Sequence, residues 1–368
     1  MPDGPRYGFD TLQIHAGSRP DPVTGARQTP IYQSTGFVFK DADHAAALFN
    51  LQEVGYIYSR LTNPTVSVLQ ERIATLEGGA GGVCCSSGHA AQIMALFPLM
   101  SPDKNIVVST RLYGGTVTQF GQTIKRFGWS AKFVDFDDEY AVKSAIDKDT
   151  RAVFCESIAN PGGYVTDLEL IAKISNEACI PLIVDNTSAT PYLCRPIDYG
   201  ATLVVHSTTK YLTGNGTVTG GCVVDSGKFD WSLNDKFPSL SAPEPAYHGL
   251  KFHSTFGELA FTFHGIAVGL RDLGMTMNPQ AAHYTLMGIE TLSLRMQRHV
   301  ENAQLVSSWL EKHDAVAGVT YAGLPSSPYY TRAKRICPNG AGGLFTVSLK
   351  GGYEACVKFV ESLEIFSH

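Results

Sequence analysis

Lys210 is the residue with the most suggestive chemistry around it. It lies in His206-Ser207-Thr208-Thr209-Lys210-Tyr211, after the apolar run Thr202 to Val205 and before Gly214, Gly216, Gly220 and Gly221. A lysine pinned at a sheet rim between hydroxyls suits one that forms a Schiff base with a carbonyl cofactor such as pyridoxal phosphate. A lone lysine is more often a solvated surface residue, so the reading depends on its company. Asp185 closes the apolar run Pro181 to Val184. A carboxylate there can pair with a protonated ring nitrogen and keep it an electron sink, or be an ordinary turn residue. Tyr113, in Leu112-Tyr113-Gly114-Gly115, can stack on a flat ring and offer its phenol to a leaving group, or be a core tyrosine. Ser86-Ser87-Gly88-His89 lies between a strand and a helix, where free N–H groups and the positive dipole end make a phosphate seat as well as a plain capped start. Glu156-Ser157 and Asn160-Pro161 leave another strand, and the asparagine could reach a phenolic oxygen. Tyr58 and Arg60 are two apart in an extended stretch, so they share a side and could clamp a phosphate.

These residues need elements to hold them. Residues 1–57 read as an irregular arm punctuated by Pro20, Pro22 and Pro30, with only Ala42 to Leu51 helical. Such an arm is expected to lie on another subunit or domain. Asn63-Pro64-Thr65 opens a helix with a stripe of Val66, Leu69, Ile73 and Leu76, and Glu77-Gly78-Gly79 stops it. From there short β-rich runs alternate with helices. The strands are Val83–Ser86, Asn105–Ser109, Ala131–Phe136, Ala152–Ser157, Pro181–Asp185, Leu203–His206 and Gly220–Val224. The helices are Gly88–Met100, Gly115–Phe127, Glu139–Ile146 and Leu168–Ala178. The pattern predicts an α/β fold with a mostly parallel seven-stranded sheet and helices on both faces, with ligands beyond the strands' carboxyl ends. Residues 58–256 form the large domain on this reading. Residues 257–368 form a smaller C-terminal α+β domain with a helical region at His283 to Leu310, a strand at Gly343 to Leu349 and a helix at Tyr353 to Leu363.

Composition narrows the class. The 368 residues are 44% hydrophobic and carry 29 basic against 34 acidic side chains, a net charge of −5 without a basic block. Nucleic acid is therefore not an expected partner, and neither an apolar span for a bilayer nor a signal-peptide pattern occurs, so no membrane partner is expected either. The eight cysteines are scattered without a CxxC, which reads as reduced thiols of a cytoplasmic protein and no metal site. Neither GxGxxG after the first strand nor GxxxxGK[ST] is present, which disfavours a nucleotide-binding module.

Taken together and in order, the motifs resemble the Cys/Met-metabolism family of pyridoxal-phosphate enzymes, of the aspartate aminotransferase fold type I. They are Tyr58-Ser-Arg-Leu-Thr-Asn-Pro-Thr65, Ser86-Ser-Gly88, Leu112-Tyr-Gly114, Glu156-Ser157 with Asn160-Pro161, Val184-Asp-Asn-Thr187 and His206-Ser-Thr-Thr-Lys210, and the likeness runs from about residue 9 to the last. The resemblance implies that Lys210 holds the cofactor and then shuttles protons. Asp185 would pair with the ring nitrogen, and Tyr113 would stack on the ring and assist the leaving group. Gly88, His89, Ser207 and Thr209 would bind the phosphate, and Asn160 would lie near the phenolic oxygen. Thr187 and Glu156 complete the cofactor-binding set. Tyr58 and Arg60 would reach the phosphate of a neighbouring subunit, contacted by the arm, in a homotetramer built from active-site-sharing dimers.

Within the family, Thr11-Leu-Gln-Ile-His-Ala-Gly17, Pro22-Val-Thr-Gly-Ala-Arg27, Val224-Asp-Ser-Gly-Lys-Phe-Asp-Trp231 and Glu290-Thr-Leu-Ser-Leu-Arg295 resemble the branch that acts on O-acetyl-homoserine. That branch performs γ-replacement: sulfide or methanethiol displaces acetate and gives homocysteine or methionine. Cystathionine γ-synthases and methionine or cystathionine γ-lyases are the neighbouring alternatives, and methionine γ-lyases carry a cysteine where this chain has Gly115. A cofactor-binding protein without catalysis is the reading from another class, and the full set of Lys210, Asp185 and Tyr113 argues against it. Family members continue past the segment that ends here at His368 and carry there the arginine that grips the substrate carboxylate. Neither Arg332 nor Arg335 matches it, so a longer natural chain and an incomplete C-terminal domain are expected.

Overall fold

The computed structural model describes residues 7–367; the first six residues of the predicted arm and His368 lie outside the described residues. The arm is more ordered than its prolines suggest. Helix α1 (Phe9–His15) forms where no helix was expected, because its side chains find partners far along the chain. Gln13 donates to Ser293 Oγ at 2.9 Å and accepts from Ser293 N at 3.1 Å. Helix α2 (Ala42–Phe49) is capped by Asp41, which accepts from His44 N. Between the two, Thr65 Oγ1 donates to Pro30 O at 2.7 Å and accepts from Tyr32 N at 3.0 Å. These bonds fasten the arm to helix α3 (Pro64–Glu77).

Helix α3 follows its sequence signals. Asn63 caps it by accepting from Thr65 N, Pro64 takes the first turn, and Gly78 ends it at φ +77. Val66, Leu69, Ile73 and Leu76 are buried as the stripe predicts. Strand β1 (Gly81–Cys85) and helix α4 (Gly88–Leu96) follow. The chain then alternates through β2 (Asn105–Ser109), α5 (Gly114–Gly121), β3 (Ser130–Val134), α6 (Glu139–Ala145), β4 (Thr150–Glu156), α7 (Leu168–Glu177) and β5 (Leu182–Asp185). The short α8 (Thr190–Leu193), then β6 (Leu203–Ser207) and β7 (Gly221–Asp225), complete this part.

These seven strands form one sheet in the order β1-β7-β6-β5-β4-β2-β3. The pairs among β3, β2, β4, β5 and β6 are parallel, and β7 runs antiparallel between β6 and β1. Continuous runs such as Ile106-Val107-Val108, Ile183-Val184 and Val204-Val205 are buried, as expected for strands covered on both faces. Because β7 is reversed, its first residue, Gly221, stands beside the last residues of β1 and β6, Cys85 and Ser207. The glycines after Lys210 therefore return to the same rim.

Beyond the sheet come α9 (Pro238–Ser241), α10 (Phe252–Phe256) and α11 (Ala260–His264), which runs into a π-helical stretch, Gly265–Leu273. The predicted helical region His283–Leu310 is two helices, α12 (Pro279–Ile289) and α13 (Leu292–Leu310). Arg295 bridges the break at Glu290-Thr291, donating to Gly288 O at 2.6 Å and to Thr291 Oγ1 at 3.2 Å. Strand β8 (Val316–Thr320) and helix α14 (Tyr330–Ile336) were not read from the sequence, and β8 pairs antiparallel with β9 (Thr346–Leu349) before α15 (Gly352–Glu361).

One buried knot ties α3 to the sheet. Glu77 Oε1 accepts from His206 Nε2 at 2.6 Å and from Asn186 Nδ2 at 2.8 Å, and all three residues are inaccessible to solvent. Removing the carboxylate leaves two buried donors unpaired. Glu77→Ala is expected to cost about 3–5 kcal/mol of folding stability, read as a lower denaturant midpoint. Glu77→Gln, which keeps one acceptor, should lose less.

Candidate active site

The carboxyl ends of β4, β5 and β6 are adjacent, and each delivers one polar side chain to a cavity of about 630 Å³: Glu156, Asp185 and Ser207. Around them the same cavity collects Gly88, His89, Tyr113, Asn160, Thr187, Thr209 and Lys210. Lys210 is exposed there. Tyr58 and Arg60 do not line it; both are exposed, with the guanidinium 5.6 Å from the centre of the Tyr58 ring, so the pair does share a side. Arg332 and Arg335 are also elsewhere, bonded to Asp137 and Asp167. A second cavity of about 520 Å³, beside α1 and lined by His15, Arg19 and Glu71, holds none of the candidate residues.

Backbone proximity shapes one end of the cavity. Ser87 caps α4 by accepting from Ala90 N at 3.1 Å. A Cβ on Gly88 would stand 2.7 Å from Ser207 Cβ, and one on Gly221 only 2.0 Å from Ser87 O. Glycine at both positions lets the α4 N-terminus press against the end of β6. Thr209 Oγ1 accepts from Gly220 N at 3.0 Å and donates back to Gly220 O at 3.3 Å, which holds the two arms of the lysine loop together. Thr187 Oγ1 accepts from Ser207 N at 2.8 Å, so it steadies the strand end.

The carboxylates are held differently. Glu156 is buried and spans two loops: one oxygen accepts from Tyr113 N at 2.6 Å, the other from Asn160 N at 2.8 Å. Its bonds therefore go to the backbone of the two residues that flank the cavity. Burial, and next the charge of Asp185, push its pKa up to about 8. Asp185 Oδ1 accepts from Thr187 N at 3.0 Å and Oδ2 from Gln92 Nε2 at 3.3 Å.

Several residues that serve the site were not singled out in the sequence. Gln92 lies one turn beyond Gly88 on α4, a spacing that helical geometry makes readable. Thr116, Ser188, Tyr211, His299 and Leu344 also line the cavity. Arg295 NH1 donates to Tyr211 O at 2.8 Å, and a Cβ at Gly214 (φ +76) would collide with that guanidinium at 2.3 Å. Helix α13 thereby grips the loop that begins at Lys210.

The donor set fits pyridoxal phosphate. One end offers an α-helix N-terminus beside the hydroxyls of Ser207 and Thr209, which suits a phosphate dianion. Across the cavity stand an amine and a carboxylate, as an aldehyde and a ring nitrogen require. Among the described residues no cluster of His, Cys, Asp or Glu could hold a metal ion, and no helix is long and apolar enough to cross a membrane.

Comparison with known proteins supports the fold and the cofactor. The family model for Cys/Met metabolism PLP-dependent enzymes matches residues 10–368. The chain is 48% identical over 361 residues to a homocysteine synthase of Schizosaccharomyces pombe, spanning 98% of this chain and 84% of that one. It is 46% identical over 362 residues to O-acetyl-L-homoserine sulfhydrylase 1 of Thermus thermophilus, spanning 98% and 86%. Its fold matches a crystal structure assigned as an O-acetylhomoserine (thiol)-lyase of Campylobacter jejuni, which carries a pyridoxyl-lysine monophosphate. The TM-score there is 0.95 at 38% identity, over 99% of this chain and 90% of the other.

Glu156 binds its proton more tightly folded than unfolded. Its contribution to stability is therefore full below the ordinary carboxylate range and is lost as pH rises through about 8. Subtracting denaturation midpoints of Glu156→Gln from those of the parent, across that interval, should show the parent losing more as pH rises.

Proposed function

The chain belongs to the Cys/Met metabolism family of PLP-dependent enzymes, and from that premise we propose that it is an O-acetyl-homoserine sulfhydrylase. It replaces the acetyl ester oxygen at the γ-carbon of O-acetyl-L-homoserine with sulfur, so that hydrosulfide gives homocysteine and acetate and methanethiol gives methionine. The observation that carries this is the gathering of Lys210, Asp185 and Tyr113 in one cavity next to the α4 N-terminus, in a chain 42–48% identical to homocysteine synthases and sulfhydrylases.

Lys210 would hold the cofactor, Asp185 would face its ring nitrogen, and Gly88, His89, Ser207 and Thr209 would seat its phosphate. Bound pyridoxal phosphate supplies an electron sink for the negative charge left when the substrate's α-proton departs. Lys210 Nζ would take that proton, hand it on, and as a free amine again take one from the β-carbon; acetate would then leave, hydrosulfide would add at the γ-carbon, and the protons would return to the β- and α-carbons. The Tyr113 phenol would stack on the ring and assist the leaving group; Glu156, by gripping Tyr113 N, sets where that phenol can reach. Asn160, whose N–H is held by the same carboxylate, would lie near the cofactor's phenolic oxygen. Gly115 favours replacement over lyase chemistry. A Cβ there would meet the Tyr113 ring at 2.6 Å and the His89 ring at 2.7 Å, so the cysteine of methionine γ-lyases has no room without moving both.

Tyr58 and Arg60, outside this chain's own cavity, complete the phosphate seat of a neighbouring subunit. The active unit is then a dimer, and two dimers make a tetramer. The chain divides into the arm (residues 1–57), the cofactor domain (58–256) and the C-terminal domain (257–368). The unpaired state of all eight cysteines accords with a cytoplasmic enzyme.

Purified holoenzyme given O-acetyl-homoserine and sulfide should release homocysteine and acetate in equal amounts. Release of 2-oxobutyrate from methionine or cystathionine alone, without that exchange, would reassign it as a lyase. Lys210→Ala should lower kcat by on the order of 10³-fold or more. Arg60→Ala should also lower activity, and mixing the two variants after subunit exchange should restore part of it; no recovery from the mixture would remove the shared-site dimer.

A further inference from the structure

Asp185 and Glu156 occupy paired positions on the parallel strands β5 and β4, so their side chains leave the sheet on one face. Two carboxylates placed this way cannot both ionise cheaply. Glu156 is the one whose pKa is raised, by burial first and by Asp185 second. The question is what fixes the Asp185 carboxylate beside it.

Gln92 supplies an answer. Its side chain is 3% exposed and is reached from α4, one turn past the glycine at the helix start. Its amide nitrogen donates to Asp185 Oδ2 at 3.3 Å and to Thr116 Oγ1 at 2.9 Å. A carboxylate has no proton to give, so the amide must turn its NH₂ and not its carbonyl toward Asp185. The carbonyl oxygen is left buried and without a partner. Leaving an acceptor unmet is costly, and an apolar side chain of the same size would fill the space without that cost. The amide is therefore there for its donors. Thr116 fixes its rotation, and Thr187 N takes the other oxygen of Asp185.

We propose that Gln92 is a positioning residue for the γ-replacement reaction: with Thr187 N it fixes the Asp185 carboxylate in place and keeps it ionised beside Glu156. The proposal deepens the functional reading above and rests on its assignment of Asp185 to the cofactor's ring nitrogen. The other titratable groups at this face are Glu156 on β4, His89 at the start of α4, Tyr113 before α5, and Lys210 beyond β6; Cys155, one residue before Glu156, points to the other face. None of them donates a hydrogen bond to Asp185 in its present geometry, and Gln92 does.

The test is retention of pyridoxal phosphate by the holoenzyme, read from visible absorbance after equilibrium dialysis across a pH series, for the parent, Gln92→Leu, Thr116→Val and Asp185→Asn. Loss of one hydrogen bond to a charged group should weaken cofactor affinity of Gln92→Leu on the order of tenfold at neutral pH. It should also move the acid limb of retention upward by about one pH unit, because Asp185 then protonates sooner. Thr116→Val, which only frees the amide to rotate, should shift both in the same direction by less, and it carries the test if Gln92→Leu does not fold. Asp185→Asn should abolish the limb. A limb and affinity that stay at parent values in Gln92→Leu, or in Thr116→Val where that variant stands alone, while Asp185→Asn removes the limb, would overturn the proposal. A limb unchanged in Asp185→Asn would instead overturn the assignment of Asp185 on which it rests.

Discussion

A single carboxylate sets the geometry on which the catalytic rim depends. Glu77, at the last turn of α3, reaches under the sheet and accepts hydrogen bonds from His206 on β6 and Asn186 just after β5. Asn186 in turn accepts from Ser157 Oγ at 2.7 Å and donates to Cys194 O at 2.9 Å. One buried network thus fixes the ends of β4, β5 and β6. The residues immediately beside it are Glu156, Asp185 and Ser207, and each faces the cavity. A buried polar contact is weak evidence for stability, since its desolvation offsets its attraction. Its value here is directional: His206 and Asn186 can satisfy their donors in only one arrangement of the strand ends, whereas an apolar plug would allow several.

Above that layer the site tells two carboxyl groups apart by giving them different partners. Glu156 binds backbone N–H groups of two loops, so its role is to hold Tyr113 and Asn160 at a fixed separation. Asp185 binds one backbone and one side-chain donor and keeps its outward face for a ligand. The C-terminal half joins through Arg295, whose guanidinium bridges Gly288 O and Tyr211 O. The lysine loop is therefore held from both sides, by Thr209 against Gly220 and by Arg295 against Tyr211.

The sequence made legible what depends on local pattern. Fully buried parallel strands read as unbroken apolar runs, and the residue that ends each run falls on the rim, which is why Asp185, Glu156 and Lys210 could be named. Residues whose partners are distant in sequence were not legible. Glu77 reads as the end of a helix before two glycines, because its partners are 109 and 129 residues away. Gln92 reads as a good helix former, and only the packing of α4 over the sheet turns it toward Asp185. Helix α1 was hidden for the same reason: its Gln13 is satisfied by Ser293, 280 positions on. Strand β8, with Gly318 in its middle, has no alternation to announce it. Tyr58 and Arg60 are a different case, since they lie outside the cavity that gathers the other candidates.

The glycine-rich run after Lys210 shows how one composition can meet two unrelated constraints. Gly214 and Gly216 have φ of +76 and +71, a backbone state that side chains rarely adopt, and they turn the loop back toward the sheet. Gly221 has no such requirement. It is a glycine because the antiparallel β7 begins beside the end of β1, where the Ser87 carbonyl would lie 2.0 Å from any Cβ. Reversing this one strand is what brings the run back to the rim. The lysine, the hydroxyls that flank it and the N-terminus of α4 then meet within one loop's length, and no side chain is left in the space between helix start and strand end. A parallel β7 would have placed Gly221 at the opposite edge of the sheet and opened the seat that Gly88 and Ser207 now close.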